Sequence, residues 1–207
     1  HPVICLDAKD DYQEFFEYWD RRREVHYIAP DGSSHVWNLF AECDTERDLD
    51  QIARLLFPSP DDDYFRNAAR QVFSGVCKAI SRDARNAGKI PTNKEISDFF
   101  QTTSLEDAHE VLSSYDDLTA AADAIDPDAD RQARGVWSTC QTEVSDVFVG
   151  DFARRGDWSI TDSVTASDGR AVVLDLPQAQ AEVVGPIYRL LLDLAAAKAL
   201  DSSAHSQ

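Results

Sequence analysis

Asp7, Lys9 and Asp11, three of the four charged residues in positions 7–11, follow the apolar run Val3-Ile4-Cys5-Leu6. At the carboxyl end of a core strand they occupy the edge where open α/β sheets bind ligands. The alternative is that Lys9 pairs with a neighbouring carboxylate and does no chemistry. Gln178 and Gln180 hold the same place after a second apolar run, Ala171 to Leu176. A different chemistry is offered by the segment from Ser104 to Asp130, where Glu106, Asp107, Glu110, Asp116, Asp117 and Asp123, with Asp126, Asp128 and Asp130, stand against no Lys or Arg. Such a surface suits a basic protein partner through charge complementarity, or is simply a solvated acidic face.

No complete catalytic constellation accompanies these groups. Cys5, Cys43, Cys77 and Cys140 are scattered without CxxC spacing, and His1, His26, His35, His109 and His205 are dispersed. The thiols fall on or beside apolar stripes, which predicts buried free cysteines in a reducing compartment. No GxSxG, HExxH or GxGxxG is present.

The elements that must position the candidates are legible from periodicity. Ala171 to Leu176 is almost wholly apolar, the pattern of a strand buried on both faces of a parallel sheet. Asp168-Gly169 before it is a turn, and a helix is predicted from Glu182 to Leu200 with Pro186 in its first turn. At the other end Val3 to Leu6 makes a second strand, followed by Tyr12, Phe15, Phe16, Tyr18 and Trp19 at helical spacing. Val25 to Ile28, ending at Pro30-Asp31-Gly32, makes a third. If the three share one sheet, residues 45–152 are an insertion between residues 1–44 and residues 153–207, which together form the α/β core. Trp37 to Phe40 lead out of the sheet and Trp158 to Asp162 lead back.

The insertion reads as helical. Thr45 and Asp48 approximate a capping box before Leu49, Ile52, Ala53, Leu55 and Leu56, and Pro58-Ser59-Pro60 stops that helix. A long helix is predicted from Asp62 to Asn86, with Phe65, Ala69, Val72, Val76 and Ile80 on one buried face and Gly88 after its end. Thr92 and Glu95 form a second capping box, and Ser104 caps a further helix. Tyr115 to Ile125 is weaker, and a last long helix is predicted from Asp128 to Phe152. Two long helices flanking shorter ones predict a bundle whose aromatic stripes are core.

Composition sets the limits. The chain has 207 residues and a net charge of -18, from 38 acidic against 20 basic groups. So acidic a chain resembles proteins adapted to high salt, where screening relieves self-repulsion, and it repels nucleic acid and anionic lipid as a whole. No apolar run approaches the roughly 20 residues that cross a bilayer. A start at His1-Pro2 without Met, with strand-like residues following at once, reads as a piece of a longer protein.

The order of segments resembles the stretch of a type IV secretion coupling protein, the TraD class of conjugative DNA-translocating ATPases, between the Walker A and Walker B motifs. VICLDAKDDY (3–12) is similar to the family's strand after the Walker A helix, although Asp10 stands where the family has Gly. VWNLFAECDTERDLDQIARLLFP, from Val36 to Pro58, resembles its aromatic and Glu-Cys run with the helix that follows. Tyr64, Phe65, Ala68 and Arg70 match the opening of the first long helix of its all-α domain. DWSITDSV, GRAVVLDLPQ and GPIYRLLLDLA resemble the return to the core.

The resemblance implies a partial P-loop-type, mainly parallel α/β core carrying an inserted all-α bundle. It implies a parent that binds ATP and Mg and moves single-stranded DNA as a hexamer, with Asp7, Lys9, Asp11 and Gln178 at the nucleotide edge. It implies a relaxase or accessory protein as cargo, with the bundle recognising it or covering the ring entrance. Segments outside this chain would meet a membrane secretion channel, at the cytoplasmic face of the membrane. No GxxxxGK[ST] precedes Val3 and no apolar strand ending in Asp-Glu follows Leu200, so this chain alone is expected to hold no cofactor and hydrolyse no ATP. A stand-alone interaction module, or a related ring ATPase or chromosome-pumping translocase, are the alternatives.

Overall fold

A computed structural model describes residues 2–9, 11–18, 23–58, 63–166 and 168–204. The departure at Asp10, the helical position of Trp19, the stop at Ser59-Pro60 and the helix start at Asp62 lie outside the described residues. The chain forms two compact units, one from residues 1–42 with 149–207 and one from residues 43–148.

The first unit is built on a parallel sheet of β1 (Val3–Asp7), β2 (Val25–Ile28) and β3 (Ala171–Asp175), in the order β1-β3-β2. The strand from the far end of the sequence is thus the central one, and Ala171, Val172, Val173 and Leu174 have no exposed surface. Each of the Val and Leu side chains contributes on the order of 2 kcal/mol by leaving water. Ala171 and Val173 pack with Phe16 of helix α1 (Asp11–Tyr18) and with Val3, Cys5, Val25 and Tyr27. Alternation puts Val172 and Leu174 on the opposite face. The strands β1 and β2 are only partly buried, and Leu6 is exposed.

Helix α9 (Ala181–Ala204) buries Val184, Ile187, Tyr188, Leu190, Leu191 and Ala195. It starts one residue before the predicted Glu182, and Pro186 lies in its second turn, not the first. The Glu182 carbonyl therefore lacks the amide that a non-proline residue would supply there. The Tyr188 hydroxyl reaches the carbonyls of Ile28, at 3.2 Å, and of Asp175, joining the helix to the ends of β2 and β3.

The second unit is all helical: α2 (Glu46–Leu56), α3 (Tyr64–Asn86), α4 (Asn93–Thr102), α5 (Leu105–Ser113), α6 (Thr119–Asp123) and α7 (Asp130–Val147). Its starts follow the caps in the sequence. Asp48 accepts the Thr45 amide at 2.7 Å, Glu95 accepts that of Thr92 at 2.9 Å, and Ser104 Oγ accepts that of Asp107 at 3.0 Å. Phe73 lies at the centre, with ring centroids 4.7 Å from Phe57 and 6.1 Å from both Phe100 and Phe148.

Two expectations are corrected here. The last long helix ends at Val147, short of Phe152, because Val149 is extended and Gly150 takes φ +51. A Cβ at Gly150 would stand 2.0 Å from the Pro30 carbonyl oxygen, so the chain turns there on glycine. Phe65, predicted on the buried face of α3, is 44% exposed, and Tyr64 is 51% exposed.

Candidate functional site

The parallel register pairs Asp7 with Asp175, so the segments after β1 and β3 leave the same edge of the sheet. The Leu176 amide donates to the Asp7 carbonyl at 2.7 Å. Asp7 itself is buried. Its carboxylate accepts the amides of Lys9 at 3.1 Å, Asp11 at 3.3 Å and Tyr12 at 3.0 Å, which caps α1 and fixes the bend before it. Lys9, Asp11 and Gln178 are exposed at this edge, with no side-chain partner among the described residues. Gln180 is half-buried, and its Oε1 is buried without a hydrogen-bond partner among the described residues.

The chain leaves and re-enters the α/β unit along one paired path. Trp37 and Trp158 form a parallel bridge, with Asn38 N donating to Trp158 O at 3.0 Å and Trp158 N to Val36 O at 3.1 Å. Glu42 secures it. Its Oε1 accepts Trp37 Nε1–H at 3.0 Å and Ile160 N–H at 2.8 Å; its Oε2 accepts Ser159 Oγ at 2.9 Å, Thr161 N–H at 3.2 Å and Thr161 Oγ1 at 2.9 Å. Burial pushes the Glu42 pKa up, and the hydrogen bonds from Ile160, Ser159 and Thr161 oppose that rise. Asp151, also buried, accepts Ser33 N–H at 2.8 Å and pairs with Arg154 at 2.8 Å. Glu42 lies inside the Glu-Cys run, but apart from Trp37 its partners Ser159, Ile160 and Thr161 stand more than a hundred positions away.

The histidines are not all dispersed. Glu24, His26 and His35 each present a ligand atom within 4.8 Å of the others. Trp158 Nε1–H donates to His26 Nδ1 at 2.7 Å, so the proton of the neutral ring sits on Nε2, facing Glu24 Oε1 at 3.3 Å. A cation at Nε2 must displace that proton. The rings of His26 and His35 stack at 3.9 Å and 25°, so lone pairs in nearly parallel planes converge poorly on one ion. The set therefore fits a neutral His26 held between Trp158 and Glu24 better than a metal centre. Burial lowers the His26 pKa, and His35 lowers it further.

In the helical unit the acidic candidates separate into two groups. Asp117 is tied down, because Arg82 Nη2 lies 2.6 Å from both its carboxylate and that of Glu46, with the guanidinium 5.0 Å from the Tyr115 ring centroid. This hydrogen bonding lowers the pKa of both acids. Burial works against Asp50, but hydrogen bonds from Lys78 and Ser74 lower its pKa on balance. Asp107 accepts Ser104 Oγ at 2.8 Å as part of the cap of α5. Glu106, Glu110, Asp116 and Asp123 are exposed. Cys77 and Cys140 are buried free thiols whose pKa burial raises, whereas Cys5 and Cys43 are only half-buried.

A parallel α/β core with polar groups at its carboxyl edge, interrupted by an all-helical unit, defines a partial P-loop-type core carrying an inserted all-α domain. The chain belongs to the type IV secretion-system coupling protein DNA-binding domain family, whose model matches residues 1–207. Among solved structures it is similar to the bacterial conjugative coupling protein TrwBdeltaN70 in complex with sulphate, with a TM-score of 0.72 at 14% identity, over 97% of this chain and 46% of that one. It is also similar to plasmid coupling protein TrwB in complex with the ATP analogue ADPNP, with a TM-score of 0.63 at 13% identity, and to TrwB in complex with ADP and Mg2+, with a TM-score of 0.56 at 13% identity. Both of these matches cover 96% of this chain and 52% of the other. The chain spans about half the length of these structures. No curated protein matches it.

Proposed function

We propose that this chain is part of an ATP-driven DNA translocase that delivers a relaxase with its single-stranded DNA to a membrane secretion channel. The observation that carries this reading is the family match over the whole chain. In the full-length protein the sheet edge after β1 and β3 faces the nucleotide. ATP with Mg supplies the driving hydrolysis when bound. Asp7 is buried and already accepts three backbone amides, so among the described residues Lys9, Asp11 and Gln178 are the exposed candidates at that edge, with the half-buried Gln180 beside them. Leu6, Val183, Leu192 and Leu200 expose apolar surface on the α/β unit, as suits a sheet core that continues in a larger, hexameric assembly. Among the described residues no helix is long and apolar enough to cross a membrane, and the reading places this part of the protein at the cytoplasmic face.

The helical unit serves as the cargo-recognition or ring-entrance module. Its exposed Glu106, Glu110, Asp116 and Asp123 favour a basic protein and disfavour phosphate. The net charge of -18 further suits a high-salt cytoplasm. The test is ATP hydrolysis by the full-length protein with and without single-stranded DNA. DNA-stimulated turnover is expected; a protein that binds and hydrolyses no nucleotide overturns the reading.

A further inference from the structure

Helices α3 and α7 meet at a place where the aromatic stripe runs out of the core. Tyr64 and Phe65, the first two residues of α3, stand edge to face at 5.5 Å and about half exposed. Neither ring is loose. Gln132 Nε2–H donates to the Tyr64 hydroxyl at 2.5 Å, and Phe65 lies on the α7 backbone at Gly135, where a Cβ would come 2.6 Å from its Cε1. Glycine inside a helix is less favourable than alanine. Here it seats a ring that solvent still reaches, which core packing does not explain. Beside the pair is a concavity of about 750 Å³ lined by Tyr64, Phe65, Ala129, Arg131, Gln132 and Gly135. On the other side of Tyr64 a second, of about 320 Å³, is lined in part by Asn67, Gln71 and Asp123.

The surrounding charge selects the occupant. Asp123 lines the smaller concavity with Tyr64, and the exposed Asp128 precedes Ala129, which lines the larger one. Of the nearby arginines, Arg66 is paired with Glu143 at 3.0 Å and Arg134 with Asp130 at 2.6 Å, which leaves Arg131 as the cation lining the groove. Fixed aromatic faces among carboxylates attract a guanidinium or ammonium group and disfavour a phosphate backbone. Their rigidity reduces the ordering cost of binding.

We infer that the Tyr64–Phe65 pair, with Asp123 and Asp128, is a docking site for an extended arginine-containing segment of a protein partner. This rests on the reading of the helical unit as a cargo-recognition module and gives that module a specific anchor.

The probe is a fluorescein-labelled ten-residue peptide of alternating arginine and glycine, titrated with the whole chain at low salt and read by anisotropy. Phe65→Leu and Tyr64→Leu, which keep apolar bulk but remove the ring faces, should each weaken binding about three- to fivefold. Gly135→Ala, which displaces Phe65, should do the same. Asp123→Asn with Asp128→Asn should weaken it further, whereas Asp98→Asn with Asp146→Asn, the same charge change elsewhere on the unit, should leave it within about twofold. Thermal melts of each variant verify folding. Equal effects of the two charge pairs with none from the rings would reduce binding to net charge and overturn the proposal. Ring-dependent binding of a twenty-nucleotide oligo(dT) would assign the patch to DNA and overturn it as well. Neither result bears on DNA-stimulated turnover by the full-length protein, so the translocase reading fails or stands separately.

Discussion

The two units hold their acidic groups in different ways. In the α/β unit Asp7, which is buried, and Glu42, which is partly buried, are satisfied by backbone amides, hydroxyls or an indole N–H, before α1 and at the Trp37–Trp158 path. In the helical unit Glu46, Asp50 and Asp117 are partly or largely exposed and are held by Arg82 and Lys78. A carboxylate satisfied by neutral donors away from water is insensitive to salt and expensive to disturb. One held by a cation near the surface is screened and contributes less. The contrast matters because an acidic chain can keep its fold-determining acids out of solvent and leave the rest for steering.

The largest effect is expected at Glu42. Replacing it by Ala strands the Trp37 indole and the Ile160 and Thr161 amides and should cost about 3 kcal/mol in urea unfolding followed by tryptophan emission, equally in low and molar potassium chloride. A loss below about 1 kcal/mol would remove the distinction between the units. Arg82→Ala should cost about 1 kcal/mol, a value discounted because its partners are solvated, and the cost should shrink in molar salt. A salt-independent loss would place that pair in the same category as Glu42.

His26 gives a pH test. Its folded pKa is below the ordinary 6.5, so the unfolded chain binds the proton first as pH falls. The stability from keeping the ring neutral is complete above pH 6.5 and is lost progressively below it, at a rate of at most about 1.4 kcal/mol per pH unit. His26→Gln should flatten urea midpoints between pH 7.5 and 5.5; an unchanged slope would mean that another group titrates. The smallest stability change is expected for the exposed Lys9. Lys9→Ala should leave the midpoint within about 0.5 kcal/mol yet lower ATP turnover in the full-length protein. Unchanged turnover would remove Lys9 from the nucleotide edge.

What the sequence disclosed was local. The apolar run at Ala171 to Leu176 marked the central strand, and Thr45 with Asp48 and Thr92 with Glu95 marked two helix starts, because those signals lie within a few residues of what they control. The edge shared by Asp7 and Gln178 was legible from strand ends alone. The role of Asp7 was not, because a carboxylate after a strand looks the same whether it waits for a ligand or caps the next helix. Glu42, the His26–His35 stack and the Arg82–Asp117 pair depend on residues brought together across turns or long separations, which periodicity does not report. Phe65 continued the buried stripe of α3 by spacing, yet its ring lies against Gly135 and is 44% exposed.

In the proposed translocase the helical unit meets protein cargo through its acidic surface while DNA is handled elsewhere. The most direct test of this claim is the full-length protein with Glu106, Glu110, Asp116 and Asp123 all changed to Lys, compared with wild type in a relaxase pull-down and in DNA-stimulated ATP hydrolysis. Cargo capture should fall severalfold while DNA stimulation stays near the wild-type level. Capture that persists while DNA stimulation collapses would contradict the claim.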